Sequence, residues 1–297
     1  MSRELSVVID GYTFLESPRW WDGRLWVFDF YTNEVVATDV QGNVEVMAEV
    51  PNQPSGLGRL PDGRELIVSL RDHRLLRREP DGELVEHADL SGLMNGIAND
   101  MVVDAEGRAY VGNFGFDLMG GAPMSPTVLV RVDPDGTASV VADDMHFPNG
   151  SVIMNGDLLV VSETFGNRLT AFDIAADGGL SGRRAWASFG DLPDTDDVTE
   201  ALGMVSVGPD GMCADVEGAV WIADALNNRV LRVREGGEIV EEVSTGDLGT
   251  YACMLGGDDG RTLFMCSAPS FVESERRAAR EAKILSCQVD VPHTGLP

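Results

Sequence analysis

Four oxygen-bearing side chains, Glu16, Asn99, Asn149 and Asp210, stand about seven or eight residues ahead of a Gly-containing turn in four segments that otherwise read alike. The segments are ESPRWWDGRLWV from Glu16, NDMVVDAEGRAYV from Asn99, PNGSVIMNGDLLV from Pro148 and PDGMCADVEGAVWI from Pro209. Equivalent positions of a radial repeat face one axis. Two carboxylates and two amides meeting there repel one another if left bare, whereas a hard divalent cation needs such a set of oxygens. Ca2+ is the economical reading, with Zn2+, Mn2+ and Mg2+ as the other cations such a set can take.

Each residue also has a plainer role. Glu16 in LESP reads as a surface carboxylate before a turn, and Asn149 in FPNG as a turn former, since Asn-Gly is a common turn pair. Asp62 in LPDG and Asp135 in DPDG sit at the hairpin position of the repeat, but Asp210 in GPDG sits at a strand entry, where Asn149 also falls. Asn99 and Asp100 compete for one inward place, because alternate strand residues face opposite sides; Asn99 is taken as the site residue and Asp100 as its support. Asp215 is expected to pin a blade turn. His146 is either a partner behind the site or an ordinary core or surface histidine.

The elements that position these residues repeat six times. Units begin near Glu16, Ser55, Asn99, Pro148, Pro209 and Tyr251, with a period of roughly 40 to 50 residues, the span of four short strands. The later half of each unit, as in TVLVRVDPDGTASVVADDM, alternates apolar and polar residues around a turn. The expected fold is an all-β, six-bladed propeller over residues 1–297 as one domain, closed by Leu5–Asp10 completing the last blade. Three excursions interrupt the period: Phe114–Thr127, the acidic Gly190–Val207, and Ser267–Ala282, which ends in the helix-forming SERRAAREA. Insertions of this kind gather on binding faces.

A net charge of −27 and a pI near 4.3 exclude nucleic acid and anionic membrane as partners, because both need a basic footprint. No stretch approaches the ~18 apolar residues of a membrane span, and no signal segment precedes the first strand pattern. A soluble, cytoplasmic protein is expected. Cys213, Cys253, Cys266 and Cys287 lie in apolar contexts without CxxC spacing, so they read as buried free thiols. No HExxH, GxSxG or P-loop pattern occurs.

With LESPRW, NDMVVDAEGRAYVGN, PNG and PDGMCADVEGAVWIA in view, the chain resembles the SMP-30/gluconolactonase family, which includes luciferin-regenerating proteins, over nearly its whole length. The resemblance implies a six-bladed propeller with one central divalent cation held by Glu16, Asn149 and Asp210. It further implies that Asn99 helps bind metal or substrate and that Asp210 serves as the base. There is a departure: sugar-lactone members carry Arg two residues before the Asn matched by Asn99, and here that place is Ile97. Arg supplies several donors for sugar oxygens and Ile supplies none.

The ring-mouth candidates Phe14, Trp20, Phe114, Phe116, Met119, Phe147, Phe165 and Met212 are apolar as well; Phe114, Phe116 and Met212 are taken as substrate-binding beside Asn99. The expected activity is therefore a metal-dependent lactonase acting on a lactone or ester less polar than a sugar lactone. A phosphotriesterase using the same site and a non-catalytic propeller binding a small molecule or peptide are the alternatives.

Overall fold

The computed structural model describes residues 3–295. Among them the strands pair into six four-stranded antiparallel sheets, and the inner strand of each packs beside the inner strands of the next and the last, so the sheets form a closed ring. The chain is a six-bladed β-propeller. The inner strands of blades 1 to 6 are Leu15–Trp21, Pro54–Arg59, Ala98–Val103, Pro148–Met154, Pro209–Ala214 and Gly249–Gly256. Five blades are simple meanders. The sixth combines three C-terminal strands with Ser6–Tyr12, which pairs with Ala282–Gln288 through Ser6↔Ser286 and Val7↔Leu285. The expected N-terminal closure is therefore made, by a strand extending two residues past Asp10.

Burial falls from axis to rim, and composition explains why. The inner strand Pro209–Ala214 is buried throughout, whereas the outer strand of the same blade, Ile239–Ser244 (IVEEVS), is mostly open to solvent. Apolar faces of neighbouring blades meet in clusters such as Val152, Val160, Met212 and Ile222. Each fully buried aliphatic side chain contributes about 1.5–3 kcal/mol, so the ring is stable only when every blade has a neighbour on both sides.

One irregularity recurs in all six blades. Each inner strand breaks register with its second strand near its start: at Glu16/Arg19, Pro54/Gly56, Ala98/Met101, Pro148/Ser151, Pro209/Met212 and Thr250/Ala252. A bulge leaves a residue unpaired and re-aims its side chain. Five of these breaks contain the residue that faces the axis, Ser55, Asn99, Asn149, Asp210 and Tyr251, and in blade 1 Glu16 borders the break while still pairing with Phe28. Glycine lets the strands close in: a Cβ on Gly150 would lie 2.6 Å from the Asp210 carbonyl oxygen, so only glycine there allows blades 4 and 5 to bring Asn149 and Asp210 together.

The excursions lie around the mouth of the ring, where Leu118 and Met119 from the first, Leu202 from the second and Phe271 from the third line the central cavity. The second forms helix α1, Val198–Met204, with the Asp197 carboxylate capping the Glu200 N–H. The helix expected in SERRAAREA is only one turn, α2, Glu273–Arg276, and begins a residue earlier; the final Ala282 is taken by a strand of blade 6. All four cysteines are free and buried. Among the described residues no helix is long and apolar enough to cross a membrane.

Candidate active site and metal centre

The six bulges place Glu16, Ser55, Asn99, Asn149, Asp210 and Tyr251 around one cavity on the ring axis. Glu16, Asn99, Asn149 and Asp210, from blades 1, 3, 4 and 5, are thus brought together. Their hydrogen bonds leave acceptor oxygens free. Asn149 Nδ2 donates to Thr164 Oγ1 at 3.2 Å and Asn99 Nδ2 to the Pro148 carbonyl at 3.5 Å, and among the described residues nothing donates to either amide oxygen. Thr164 Oγ1 in turn donates to the Pro209 carbonyl at 2.8 Å, tying the Asn149 side chain to the strand that carries Asp210.

Among the described residues neither site carboxylate forms a salt bridge, although the Arg19 charge acts on Glu16. Burial, then the charge of Asp100, pushes the Glu16 carboxyl up to about 8. Burial, then Glu16 and Asp100, pushes Asp210 well above the ordinary carboxylate range. The same physics acts on the neighbouring phenol: burial, then Asp210 and Glu16, pushes Tyr251 up. Two buried carboxyls of one cavity, eased only by the Ser17 N–H and distant Arg19 charge at Glu16 and by the Gly211 N–H and Asn149 at Asp210, favour a bound cation. Among the described residues no three Asp, Glu, His or Cys side chains converge as a metal cluster, so any cation here depends on the amide oxygens as well.

Asp100 is differently placed. Its Oδ1 accepts from Ser17 Oγ and Arg19 Nη2, both at 2.8 Å, and from the Met101 N–H. Ser17 Oγ also accepts the Leu57 N–H, and Arg19 Nη2 also donates to the Met101 carbonyl. This network fastens blades 1, 2 and 3 together directly behind Glu16, at a place where Ser17 adopts a left-handed backbone. Asp100 is tied by this network and yet lines the central cavity together with Asn99, because the register break between Ala98 and Met101 suspends the alternation by which only one of the two would face inward. Asp215 does pin a turn: Oδ1 accepts the Glu217 and Ala219 N–H groups and Oδ2 accepts Arg232 Nε at 2.7 Å.

Above the polar floor stand aromatic side chains. Phe14, Phe114, Met119, Phe147 and Phe165 all line the cavity, joined by Phe28, Phe30, Tyr31 and Phe271. Three expected mouth residues do not. Met212 is buried between blades 4 and 5 with Val152 and Ile222; simple alternation from Asp210 would have turned it inward, but the bulge between Pro209 and Met212 breaks that alternation. Phe116 backs the wall, its ring 6.2 Å from Phe147 and 5.9 Å from Phe165. Trp20 stacks on Phe264 at 5.4 Å, further down the inner strand of blade 1. His146 does not line the central cavity; its ring lies 3.7 Å from Asp144 and its N–H donates to Glu163.

Tyr31 and Thr164 also bring oxygen-bearing side chains to the cavity, and so do Ser55 and Tyr251, none of which the sequence marks as a ligand. For Ser55 and Tyr251 a signal was present, since both stand at the start of a repeat unit.

A family model described as SMP-30/gluconolactonase/LRE-like region matches residues 14–269. Regucalcin of Danio rerio is 27% identical over 194 residues, 64% of this chain and 61% of that protein, so the alignment spans less than two thirds of that relative. A 6-deoxy-6-sulfogluconolactonase of Pseudomonas putida is 27% identical over 244 residues, 78% of this chain and 75% of that enzyme. Among solved structures, a calcium-binding regucalcin from Agrobacterium tumefaciens shares the fold with a TM-score of 0.79 at 21% identity, over 100% of this chain and 97% of that one.

Proposed function

The chain belongs to the SMP-30/gluconolactonase/LRE-like family, and from that premise we propose that it is a metal-dependent hydrolase that opens a lactone or related ester less polar than a sugar lactone. The observation that carries this reading is the convergence of Glu16, Asn99, Asn149 and Asp210 at one bulge height around a single cavity. Lactonase names among the relatives support the reaction class.

The residues fit a divalent cation. Two buried carboxyls and two amide oxygens make an all-oxygen set, which suits Ca2+, Mg2+ or Mn2+ better than Zn2+. Glu16, Asn149 and Asp210 would hold it, with Asn99 beside them. Such a cation supplies Lewis-acid polarisation of the substrate carbonyl and acidifies a nearby water.

The protein's own groups do the rest. Asp210 takes the proton of the attacking water; its raised affinity for protons in the metal-free site reflects burial and negative neighbours, and a cation reverses the second of these. Asn99 orients the substrate from blade 3. The aromatic walls exclude bulk water from the reacting carbonyl. Their apolarity, with Ile97 where sugar-lactone members carry Arg, supports a substrate with few hydroxyls.

The test is a titration of metal-free protein with Ca2+, Mn2+, Zn2+ and Mg2+, following melting temperature and hydrolysis of sugar lactones, alkyl lactones, aryl esters and a phosphotriester. Metal-dependent lactone hydrolysis is expected. A metal-raised melting temperature with no hydrolysis of any substrate would overturn the enzymatic reading in favour of a binding propeller.

A further inference from the structure

Blade 6 supplies the sixth side chain of the ring around the cavity, and it is a tyrosine. Tyr251 sits within the register break between Thr250 and Ala252, the station that carries Asp210 in blade 5 and Glu16 in blade 1. Its ring is 4% exposed and packs 4.7 Å from Phe14 and 6.4 Å from Phe271. Among the described residues its hydroxyl makes no hydrogen bond, although it lines the cavity. The hydroxyl is not shut away among the buried unpaired polar atoms but opens to the cavity, where it can donate to a ligand. The strand also makes room for it: a Cβ on Gly249 would lie 2.3 Å from the Tyr251 hydroxyl oxygen, so glycine at 249 lets the ring lie back along the strand.

The opposite side of the cavity has a different character. In a ring of six, blades 3 and 4 face blades 6 and 1. Blades 3 and 4 present Phe114, Phe147 and Phe165 in mutual contact, with ring centroids 4.4 Å and 5.4 Å apart, and no hydroxyl among them. The aromatic surface of blades 3 and 4 is therefore hydrocarbon, the neighbouring Thr164 hydroxyl being committed to the Pro209 carbonyl, whereas the aromatic surface of blades 6 and 1, with Phe14, Phe28, Phe30 and Phe271, is broken by the phenol hydroxyls of Tyr31 and Tyr251.

Building on the hydrolase reading above, we infer that the substrate is an asymmetric lactone or ester whose aryl or alkyl arm packs on Phe114, Phe147 and Phe165, and whose oxygen on the far side accepts a hydrogen bond from Tyr251. Tyr251 is then a specificity-determining residue. It fixes which end of the molecule faces blade 6, and so which face of the carbonyl is turned toward Asp210.

The experiment uses the full chain with Ca2+ and two γ-lactones, one bearing a phenyl group and one bearing hydroxyls. The γ-lactam with the same phenyl group serves as a ligand that is not turned over. Wild-type kcat/KM should favour the phenyl lactone by about tenfold or more. Tyr251→Phe should lower kcat/KM for the phenyl lactone and affinity for the lactam by about 3- to 10-fold, the range of one neutral hydrogen bond, with melting temperature unchanged. Phe165→Leu should shrink the preference for phenyl over hydroxyl. Equal kcat/KM for the two lactones, or a Tyr251→Phe variant unchanged in both rate and lactam affinity, overturns the inference while leaving lactone hydrolysis intact. If no lactone is turned over, the lactam decides: binding weakened by Tyr251→Phe supports the two-walled cavity and refutes hydrolysis, and absence of binding refutes both.

Discussion

The carboxylate of Asp224, fully buried at the end of the second strand of blade 5, accepts the backbone N–H of Gly208 at 3.1 Å, two residues ahead of Asp210. Blades 1 and 4 repeat the device. Asp29 accepts the Phe14 N–H at 3.0 Å, two residues ahead of Glu16, and Glu163 accepts the His146 N–H at 2.7 Å, three ahead of Asn149. These are the three blades whose bulge residues are the proposed cation ligands. A buried carboxylate thus anchors the entry segment of each, and is itself held by further donors such as Arg229 Nε on Asp224 and Arg168 Nε on Glu163.

Asp224→Ala is therefore expected to weaken cation binding although Asp224 does not line the cavity. Loss of the acceptor leaves the buried Gly208 N–H unpaired, which destabilises by about 1–3 kcal/mol. Denaturant unfolding should register that loss, and calorimetric Ca2+ titration should show reduced affinity. Lower stability with unaltered Ca2+ affinity would show that the anchor supports the fold without positioning Asp210.

Protonation gives the metal-free protein a distinctive pH profile. Glu16 is pushed up to about 8 by burial and then the charge of Asp100, and Asp210 is raised well above its ordinary range by burial and then the charges of Glu16 and Asp100. A carboxyl whose folded pKa is raised stabilises the native state fully below its unfolded pKa, and that stability is lost as pH rises through the folded value. Metal-free protein should thus melt at progressively lower temperature from pH 5 to pH 9. Ca2+ must displace these protons, so its affinity should rise by about tenfold or more per pH unit below 8. Melting scans with and without Ca2+ check both slopes; a Ca2+-induced shift that is the same at pH 5.5 and pH 8.5 would remove Glu16 and Asp210 from the cation site.

The propeller was legible because each blade repeats the same polar entry, apolar strand and Gly turn, and that pattern follows from how a meander buries one edge at an axis. Glu16, Asn99, Asn149 and Asp210 were legible as residues of one height in that repeat. What alternation could not supply was the bulge: it carries Asp210 inward yet leaves Met212, expected at the mouth as an apolar residue, between blades 4 and 5. Tyr251 and Ser55 were overlooked for a chemical reason, since neither is a usual cation ligand, although they occupy the same station. Phe116 and Trp20 failed because an aromatic near a strand entry can equally line the cavity or support the wall, and only the fold of the loop decides.

Asp210→Asn separates ligand from base. The amide keeps an oxygen for the cation but cannot take a proton, so turnover should fall by roughly 10^2- to 10^4-fold, more than Ca2+ affinity does. Steady-state kinetics at saturating Ca2+, paired with calorimetric titration, makes the comparison. Near-normal turnover with Ca2+ bound would reduce Asp210 to a ligand.

Ile97 tests the substrate argument from the opposite direction to Tyr251. It stands two residues ahead of Asn99, packs in part against the Phe114, Phe147 and Phe165 cluster, and accepts the Phe114 N–H through its carbonyl at 3.0 Å. Wild-type protein should open apolar lactones with higher kcat/KM than gluconolactone, because no guanidinium meets the hydroxyls. Ile97→Arg keeps the backbone contact to Phe114 and adds several donors beside the apolar wall. Being only partly buried, position 97 gives the Arg a route to solvent or to the mouth without stranding its charge. Preference should then move toward the polyhydroxylated ring by about tenfold in kcat/KM, the quantity that reports differential transition-state binding. A wild-type enzyme that already favours aldonolactones would refute the role given to Ile97 and to the apolar wall, while the convergence of Glu16, Asn149 and Asp210 would be untouched.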